Sequence, residues 1–260
     1  MTDDCSLKAH PDISYLVRSK SSTRMRTLHF FAIAGLAVTL LFSSCAVTTT
    51  MHFNKDYSGS YTTEVDMSEL IGMSAMFDTT GTMDQAKMVG EMRHAMDSMN
   101  LAGLYNEMSG IHNAKIDVSD EGVISIGFSF DNLAALEASF KTMQDRAAQE
   151  TDGMDAGGMD MLPTDLFSGG IQTFRQSGKT LTHTYRVSED TEGLMGDSGD
   201  DMDMISAMVD YTLVFSFDKK IKRSDADGMT VLEQDAKMLK MRVDADRLIG
   251  GQYSISIVTK

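Results

Sequence analysis

The stretch TTTMHFNKDYSGSYTTEVDMSEL, residues 48–70, holds two β-prone runs on either side of a short polar segment. Asn, Asp, Ser and Gly dominate that segment, 54–59, and these residue types favour a reversal of the chain. In the second run every other side chain falls on one side of an extended backbone, a period of two that is typical of a half-buried strand; these residues are Tyr61, Thr63, Val65 and Met67. The stretch therefore predicts a β-hairpin, with Asp66 just before a following helix.

The same order of elements recurs at residues 114–136. The return strand is predicted over Val123–Phe130, because its apolar residues again alternate. Asp131 is the predicted N-cap of the next helix, since a short carboxylate accepts hydrogen bonds from free backbone N–H groups. That helix carries an apolar stripe at steps of three and four, made of Leu133, Leu136, Phe140, Met143 and Ala147.

The remaining segments predict the rest of the architecture. A third hairpin is predicted within residues 229–249, followed by a strand at Tyr253–Val258. A helix is predicted over Met83–Tyr105, a hairpin over Thr173–Val187 and an alternating strand over Asp210–Phe217. Sequential hairpins and separate helices predict an α+β fold with a mainly antiparallel sheet built from β-hairpins and helices packed on one face.

One acidic domain is predicted over residues 45–260, a length that suits a single large domain. Two segments interrupt its regular pattern, near 150–162 and 189–204. Both are rich in Met, Asp and Gly and contain little that a core would bury. We therefore predict that they are flexible loops.

The segment before this domain has the organisation of a secretory signal. Leu28–Phe42 is almost wholly apolar, and Arg24 and Arg26 precede it. It is too short for a comfortable membrane span, which needs roughly 20 residues. A positive segment, an apolar core and small residues in this order are typical of a signal peptide. We exclude residues 1–44 from the fold and predict that translation begins at Met25.

Leu41-Phe42-Ser43-Ser44-Cys45 resembles the lipobox of bacterial lipoproteins. The resemblance implies transfer of diacylglycerol to the Cys45 sulfur, cleavage before Cys45 and acyl chains such as palmitate on the new N-terminus. Leu41 lies one position further from the cysteine than is usual. Two or three acyl chains hold a protein on a membrane, because each buried CH₂ contributes about 0.8 kcal/mol. The alternatives are an uncleaved anchor helix and an ordinary helix with a core cysteine.

The chain as a whole resembles uncharacterised lipoproteins of Bacteroidota and related bacteria. The resemblance rests on the lipobox, the hairpin FNKDYSGSYTTEVDMSEL and the segment that begins YTLVFSFDKKIKRSDADGMTVL. It implies a place in the cell envelope, and Ala46 after the cysteine favours the outer membrane by analogy with enteric sorting. It implies no activity and no further site residues.

Composition limits the possible partners. The formal net charge is −15, so nucleic acid and anionic head groups are not expected as partners. The two cysteines are Cys5, in the excluded extension, and Cys45, so no disulfide and no thiolate metal site is expected. The one basic run, Lys219–Arg223, is interpreted as a solvated turn between strands. Contact with lipid head groups near the anchor is its alternative interpretation.

Methionine is unusually frequent, with 23 residues. Met88, Met92, Met96 and Met99 have helical spacing and are predicted to fill the core, because flexible thioethers fill irregular gaps. The other methionines fall in or beside the predicted loops, where thioethers suit Cu(I); they are Met154, Met159, Met161, Met195, Met202, Met204 and Met208. Copper handling is therefore an alternative function. The acidic segment 190–203 lacks the spacing of an EF-hand calcium loop.

No catalytic motif is found, and no cofactor is predicted. His94 and His183 are interpreted as surface or edge histidines rather than as general bases. An enzyme would be favoured by a deep pocket that holds His183 or His112 beside a carboxylate. The leading hypothesis is a membrane-anchored envelope lipoprotein with a non-enzymatic binding or structural role. Its partners would be the membrane, through Cys45, and an envelope protein or small ligand, with no nucleic acid.

Overall fold

The computed structural model describes most of the chain beyond the predicted signal, namely residues 45–77, 84–151, 170–187, 209–244, 247–248 and 251–260. All of these residues belong to a unit that spans residues 43–260. The signal segment and the predicted loop 189–204 lie outside the described residues. So does the predicted loop near 150–162, apart from its first two residues, which still belong to a helix.

The described strands form two sheets. Their bounds are β1 (Cys45–Phe53), β2 (Gly59–Asp66), β3 (Ile111–Val118), β4 (Val123–Phe130), β5 (Gly170–Ser177), β6 (Thr180–Val187), β7 (Val209–Phe217), β8 (Ile221–Ala226), β9 (Thr230–Gln234), β10 (Met238–Val243) and β11 (Gln252–Thr259). The large sheet has the order β3-β4-β2-β1-β7-β10-β9, and the small sheet has the order β5-β6-β11-β8. Only the pairing of β1 with β7 is parallel among these described strands. The predicted α+β class with mainly antiparallel pairing is confirmed.

The alternation in the sequence explains why the large sheet has one buried face. Side chains on β1, β2, β4, β7 and β10 alternate between a buried and a more exposed side. On β1 the buried side consists of Val47, Thr49, Met51 and Phe53. Because neighbouring strands pair in register, these side chains form continuous rows across the sheet with those of β2 and β7.

Two layers cover this buried face. Part of it packs on the small sheet, where Phe53 lies 6.4 Å from Phe174 and Phe215 lies 5.6 Å from His183, measured between ring centroids. Helices cover the part near β3 and β4, where Tyr105 stacks on Phe128 at 5.0 Å. The sequence predicts helices on one face but does not predict that a second sheet shares that face with them.

The described helices are α1 (Ser68–Phe77), α2 (Gln85–Met99), α3 (Leu101–Glu107) and α4 (Leu133–Thr151). The single helix predicted over Met83–Tyr105 is interrupted at Asn100, which adopts a left-handed conformation with φ of 46°. Asp84 caps α2 by accepting a hydrogen bond from the Ala86 backbone N–H. Asparagine tolerates the left-handed region better than most residues, so the interruption occurs there at low cost.

The predicted N-cap of α4 is wrong by one residue. The side chain of Asn132, rather than that of Asp131, accepts a hydrogen bond from the Ala135 backbone N–H at 2.9 Å. The Asp131 carboxylate instead lies 3.0 Å from His112 Nε2. Both residue types cap helices well, so the sequence alone does not distinguish them.

Gly59 marks a close approach between backbones in the central hairpin. A methyl group at this position would overlap the carbonyl oxygen of His52 and lie 2.9 Å from the ring of Phe130. Gly127 is its natural comparison, because it lies on the neighbouring strand β4 and a methyl group there meets nothing closer than Thr62 Oγ1 at 3.5 Å.

We expect Gly59→Ala to lower the free energy of unfolding by about 2 kcal/mol or more, because backbone must move to admit the methyl group. Gly127→Ala should change it by less than about 1 kcal/mol in either direction. Urea denaturation followed by circular dichroism measures both variants. Equal stability of the two variants would contradict the close approach at Gly59.

Candidate functional site

Cys45, the predicted lipidation site, is the first residue of β1 in the described structure. It pairs in parallel with Val209 of β7, and its side chain is partly buried against the core. The next residue, Ala46, already pairs with Asp66 on one side and with Asp210 on the other. Cys45 is therefore already part of the large sheet, and no linker separates it from β1.

The surroundings of Cys45 keep its thiol protonated. Burial raises the pKa of the Cys45 thiol, and the Asp66 carboxylate raises it further. The thiolate is the form that attacks electrophiles and binds metals, so a raised pKa disfavours both reactions. Asp210, on the strand beside β1, forms an ion pair with Arg242 in which the two side chains are 3.0 Å apart. The chemistry of this position therefore does not favour a redox or metal-binding thiol.

The exposed face of the large sheet carries a shallow polar cleft of about 380 Å³ over β2, β3 and β4. An irregularity in the pairing of β3 with β4 lies between His112 and Lys115, and Asn113 there has a φ of 55°. Gly127 adds no side chain to the cleft floor. The lining residues are Ser60, Tyr61, Thr62, Asn113, Lys115, Asp117, Ser125, Gly127, Phe128 and Ser129.

The cleft offers hydroxyl, amide, ammonium and carboxylate groups on adjacent strands. Such a set donates and accepts hydrogen bonds and suits a small polar ligand. Sequence reasoning missed it, because Ser60, Thr62 and Ser125 are simply the polar members of alternating strands. Two features mark the cleft, the left-handed Asn113 on β3 and the glycine Gly127 on β4. They can be recognised as parts of one site only once the pairing of β3 with β4 is known.

His183 is buried, and its prediction as a surface or edge histidine is wrong. It lies on β6, which is an interior strand of the small sheet, and it is only 1% exposed. Its ring stacks on Phe174 with 4.4 Å between centroids, and its Nε2 lies 3.2 Å from Gln172 Oε1. Among the described residues its Nδ1 has no hydrogen-bond partner. Burial lowers the pKa of His183 to about 3.

The other histidines of the described residues, His52, His94 and His112, lie near the surface. His94 is exposed on α2, as predicted. His112 contacts the Asp131 carboxylate at 3.0 Å, but both side chains are more than half exposed rather than held in a deep pocket. His52 Nδ1 lies 2.9 Å from Ser216 Oγ. Within the described part of the chain, no three His, Cys, Asp or Glu side chains converge as metal ligands do.

A hydroxyl cluster lies inside the core near the centre of β1. Thr49 Oγ1 lies 3.0 Å from Thr63 Oγ1 and 3.0 Å from the Tyr211 hydroxyl, so the three groups share hydrogen bonds. Burial raises the pKa of Tyr211 and of the neighbouring Tyr61. These tyrosines are therefore neutral at physiological pH, and their hydroxyls act as hydrogen-bonding groups within the core.

Three of the four methionines at helical spacing pack against the core as predicted, namely Met88, Met92 and Met96 of α2, whereas Met99 is half-buried and is not among the side chains packed on it. The methionines of the copper hypothesis lie outside the described residues, so that hypothesis stays a prediction. The acidic residues of segment 190–203 also lie outside the described residues. No helix among the described residues is long and apolar enough to cross a membrane.

The basic run lies far from Cys45. Lys219 and Lys220 form the turn after β7, and the run continues into β8. Because β1 and β7 are parallel, the turn after β7 lies at the end of the sheet where β1 finishes, as the hydrogen bond from the Asp218 N–H to the Phe53 carbonyl shows. The described geometry therefore contradicts a contact of this run with head groups near the anchor.

No family model and no curated protein matches this chain. Among solved structures, it is similar to the folded domain of LppM from Mycobacterium tuberculosis, with 12% identity, a TM-score of 0.38 and coverage of 83% of this chain and 90% of that chain. It is also similar to the Fcho1 Mu homology domain of Danio rerio with a bound Eps15 peptide, with 10% identity, a TM-score of 0.20 and coverage of 83% and 78%. Scores this low carry no argument, so the resemblance to Bacteroidota lipoproteins stays a prediction.

The low pKa of His183 predicts a stability that falls in acid. Between its ordinary pKa of about 6.5 and a pH of about 3, His183 binds a proton in the unfolded chain but not in the folded one. The free energy of unfolding should therefore decrease by about 2 kcal/mol between pH 7 and pH 5 through this residue alone. Urea titrations at both pH values measure the difference.

His183→Phe should remove most of this pH dependence, whatever its effect on stability at pH 7. His94→Gln is the matched control, because it removes an exposed histidine and should leave the dependence unchanged. An equal loss of stability between pH 7 and pH 5 in His183→Phe and in the unmodified sequence would show that His183 is accessible to protons in the folded state.

Proposed function

We propose that this chain is an envelope lipoprotein whose Cys45 carries the lipid and whose domain, residues 45–260, has a non-enzymatic binding or structural role. One observation carries the proposal. The cysteine that ends the signal-like segment is also the first residue of β1, the central strand of the large sheet. Cleavage before Cys45 would therefore remove the leader and leave the described fold complete.

The position of Cys45 is compatible with a lipid on its sulfur. Its side chain is only partly buried at the end of the strand, so acyl chains attached to the sulfur need not enter the core. An anchor with two or three chains suffices for stable membrane attachment. With no linker after Cys45, the same end of the large sheet would be held close to the membrane surface.

The binding role rests on the polar cleft over β2, β3 and β4. Lys115 and Asp117 contribute opposite charges on one strand, and hydroxyls from β2 and β4 lie between them and the sheet centre. This arrangement suits recognition of a small polar ligand in the envelope by hydrogen bonds. By analogy with enteric sorting, Ala46 places the protein at the outer membrane, on its periplasmic or surface side.

Lipidation predicts a defined product. In a bacterium that processes lipoproteins, we expect the membrane fraction to contain a chain that begins at Cys45 and whose intact mass exceeds that of the bare peptide by a diacylglycerol, with or without an additional acyl chain. Intact-mass analysis of the full chain after detergent extraction measures this.

Cys45→Ser should abolish both the added mass and the cleavage, because serine lacks the thiol that the transfer requires. Cys5→Ser is the matched control, since it changes the other cysteine of the sequence and should change neither result, whether translation begins at Met1 or at Met25. A free thiol at Cys45 in membrane-bound material, or an intact leader, would contradict the proposal.

A further inference from the structure

Lysines gather at one end of the described domain. Lys55 lies between β1 and β2, Lys179 between β5 and β6, and Lys237 between β9 and β10. Lys219 and Lys220 lie between β7 and β8, and Lys260 follows β11. We call this group the lysine end; it consists of Lys55, Lys179, Lys219, Lys220, Lys237 and Lys260.

Backbone hydrogen bonds bring these separate turns together. The Lys260 N–H donates to the Lys220 carbonyl at 2.9 Å, and the Thr259 N–H donates to the Lys179 carbonyl at 2.8 Å. The Phe217 N–H donates to the Lys237 carbonyl at 2.9 Å. These backbone hydrogen bonds hold lysines that are far apart in the sequence next to one another, where the strands of both sheets end.

The ammonium groups of the lysine end are available. Five of the six lysines are exposed, and Lys219 lies 4.8 Å above the ring of Tyr57. None of the six forms an ion pair with a carboxylate of the described residues.

Three aspartates lie in the same turns as the lysines, namely Asp56, Asp218 and Asp235. Asp218 Oδ1 lies 3.7 Å from His52 Nε2. Asp56 accepts hydrogen bonds from the Ser58 hydroxyl and backbone N–H, which lower the pKa of its carboxyl, and the charge of Lys219 makes a smaller contribution in the same direction. Asp235 accepts from the backbone N–H groups of Lys237 and Met238 at 2.6 and 2.7 Å.

The opposite end of the domain is acidic. Asp66 and Asp210 flank Cys45 there, and the ends of β3, β8 and β10 contribute further carboxylates; these are Asp120, Glu121, Asp225, Asp227 and Asp244. β1 runs from this end to the lysine end and has 9 residues. At about 3.3 Å per residue the two ends are roughly 26 Å apart along β1.

We propose that the lysine end binds the anionic head groups of a membrane surface other than the one that holds Cys45. Clusters of about four to eight basic residues bind anionic lipid surfaces. The charges are spread over several turns rather than converging on a cavity, which suits a charged surface better than a discrete small ligand. The bridging of two surfaces rests on the proposed lipid at Cys45, whereas the binding of head groups does not.

The residue types favour a lipid surface over a protein or a nucleic acid. Protein interfaces are enriched in aromatic residues and arginine and depleted in lysine, whereas the basic residues of these turns are all lysines. Nucleic-acid sites favour arginine, whose planar guanidinium pairs bidentately with phosphates and bases, and the described turns of the lysine end contain no arginine. Long lysine stems also let the ammonium groups reach a charged plane from turns of unequal height.

Vesicle capture tests this proposal with the full chain. The detergent-extracted protein is reconstituted into vesicles of neutral phosphatidylcholine, where the N-terminal segment or its lipid holds it, and flotation measures that retention separately. Fluorescent vesicles with 30 mol% phosphatidylglycerol, or with none, are then added. We expect capture of the anionic vesicles only, with loss of capture at about 1 M salt, where the Debye length falls to about 3 Å.

The charge-matched variants locate the binding surface. Lys220→Gln combined with Lys237→Gln should weaken capture at least tenfold, because each basic residue near an anionic surface contributes about a fivefold factor. Lys87→Gln combined with Lys141→Gln removes the same charge from exposed helix positions and should leave capture unchanged.

Equal capture of neutral and anionic vesicles, or equal losses in the two double variants, would overturn the proposal. Preferential capture of an acidic protein such as serum albumin or of duplex DNA over anionic vesicles would also overturn it. Failure of retention in the neutral vesicles would contradict the anchor alone. The unretained protein should then still float with the anionic vesicles, and its failure to do so would overturn the lysine-end proposal.

Discussion

The parallel pairing of β1 with β7 is the constraint on which the rest of this structure depends. β1 forms the central hairpin with β2 on its other side, so its side chains Thr49, Met51 and Phe53 occupy the middle of the core. The same pairing fixes which end of the sheet carries Cys45 and which end carries the turn from β7 into β8. This one strand pair therefore places Cys45 and the lysine end at opposite ends of the large sheet.

Much of the local structure could be predicted from the sequence, because strands with one buried face alternate visibly. Val123–Phe130 and Asp210–Phe217 agree closely with the observed strands. The small sheet as a second covering layer was missed, because alternation shows that a face is buried but not what buries it. His183 was misplaced for the same reason: a polar residue between two threonines indicates an edge, whereas pairing with strands on both sides buries it.

The candidate sites likewise divide into those that a local motif predicts and those that depend on the fold. Cys45 was found by a local motif, which needs no knowledge of the fold. The polar cleft and the lysine end were missed, because their residues come from turns and strands that are distant in the sequence. Net charge was also misleading: a value of −15 describes the whole chain, whereas the structure gathers six lysines at one end of the described domain, where three aspartates accompany them. Long-range charge segregation is a property of topology and not of composition.

The central strand is also the first part of the domain to leave the ribosome and, in an exported chain, the first to reach the far side of a membrane. Thr49 and its partner Tyr211 are separated by 162 positions. Until β7 has followed, β1 can form only its local hairpin, and one edge of that hairpin stays open. Such a high contact order favours slow folding. We therefore expect the middle of the large sheet to close late in folding, and the open β1 edge is the part of the chain that a chaperone would have most reason to shield.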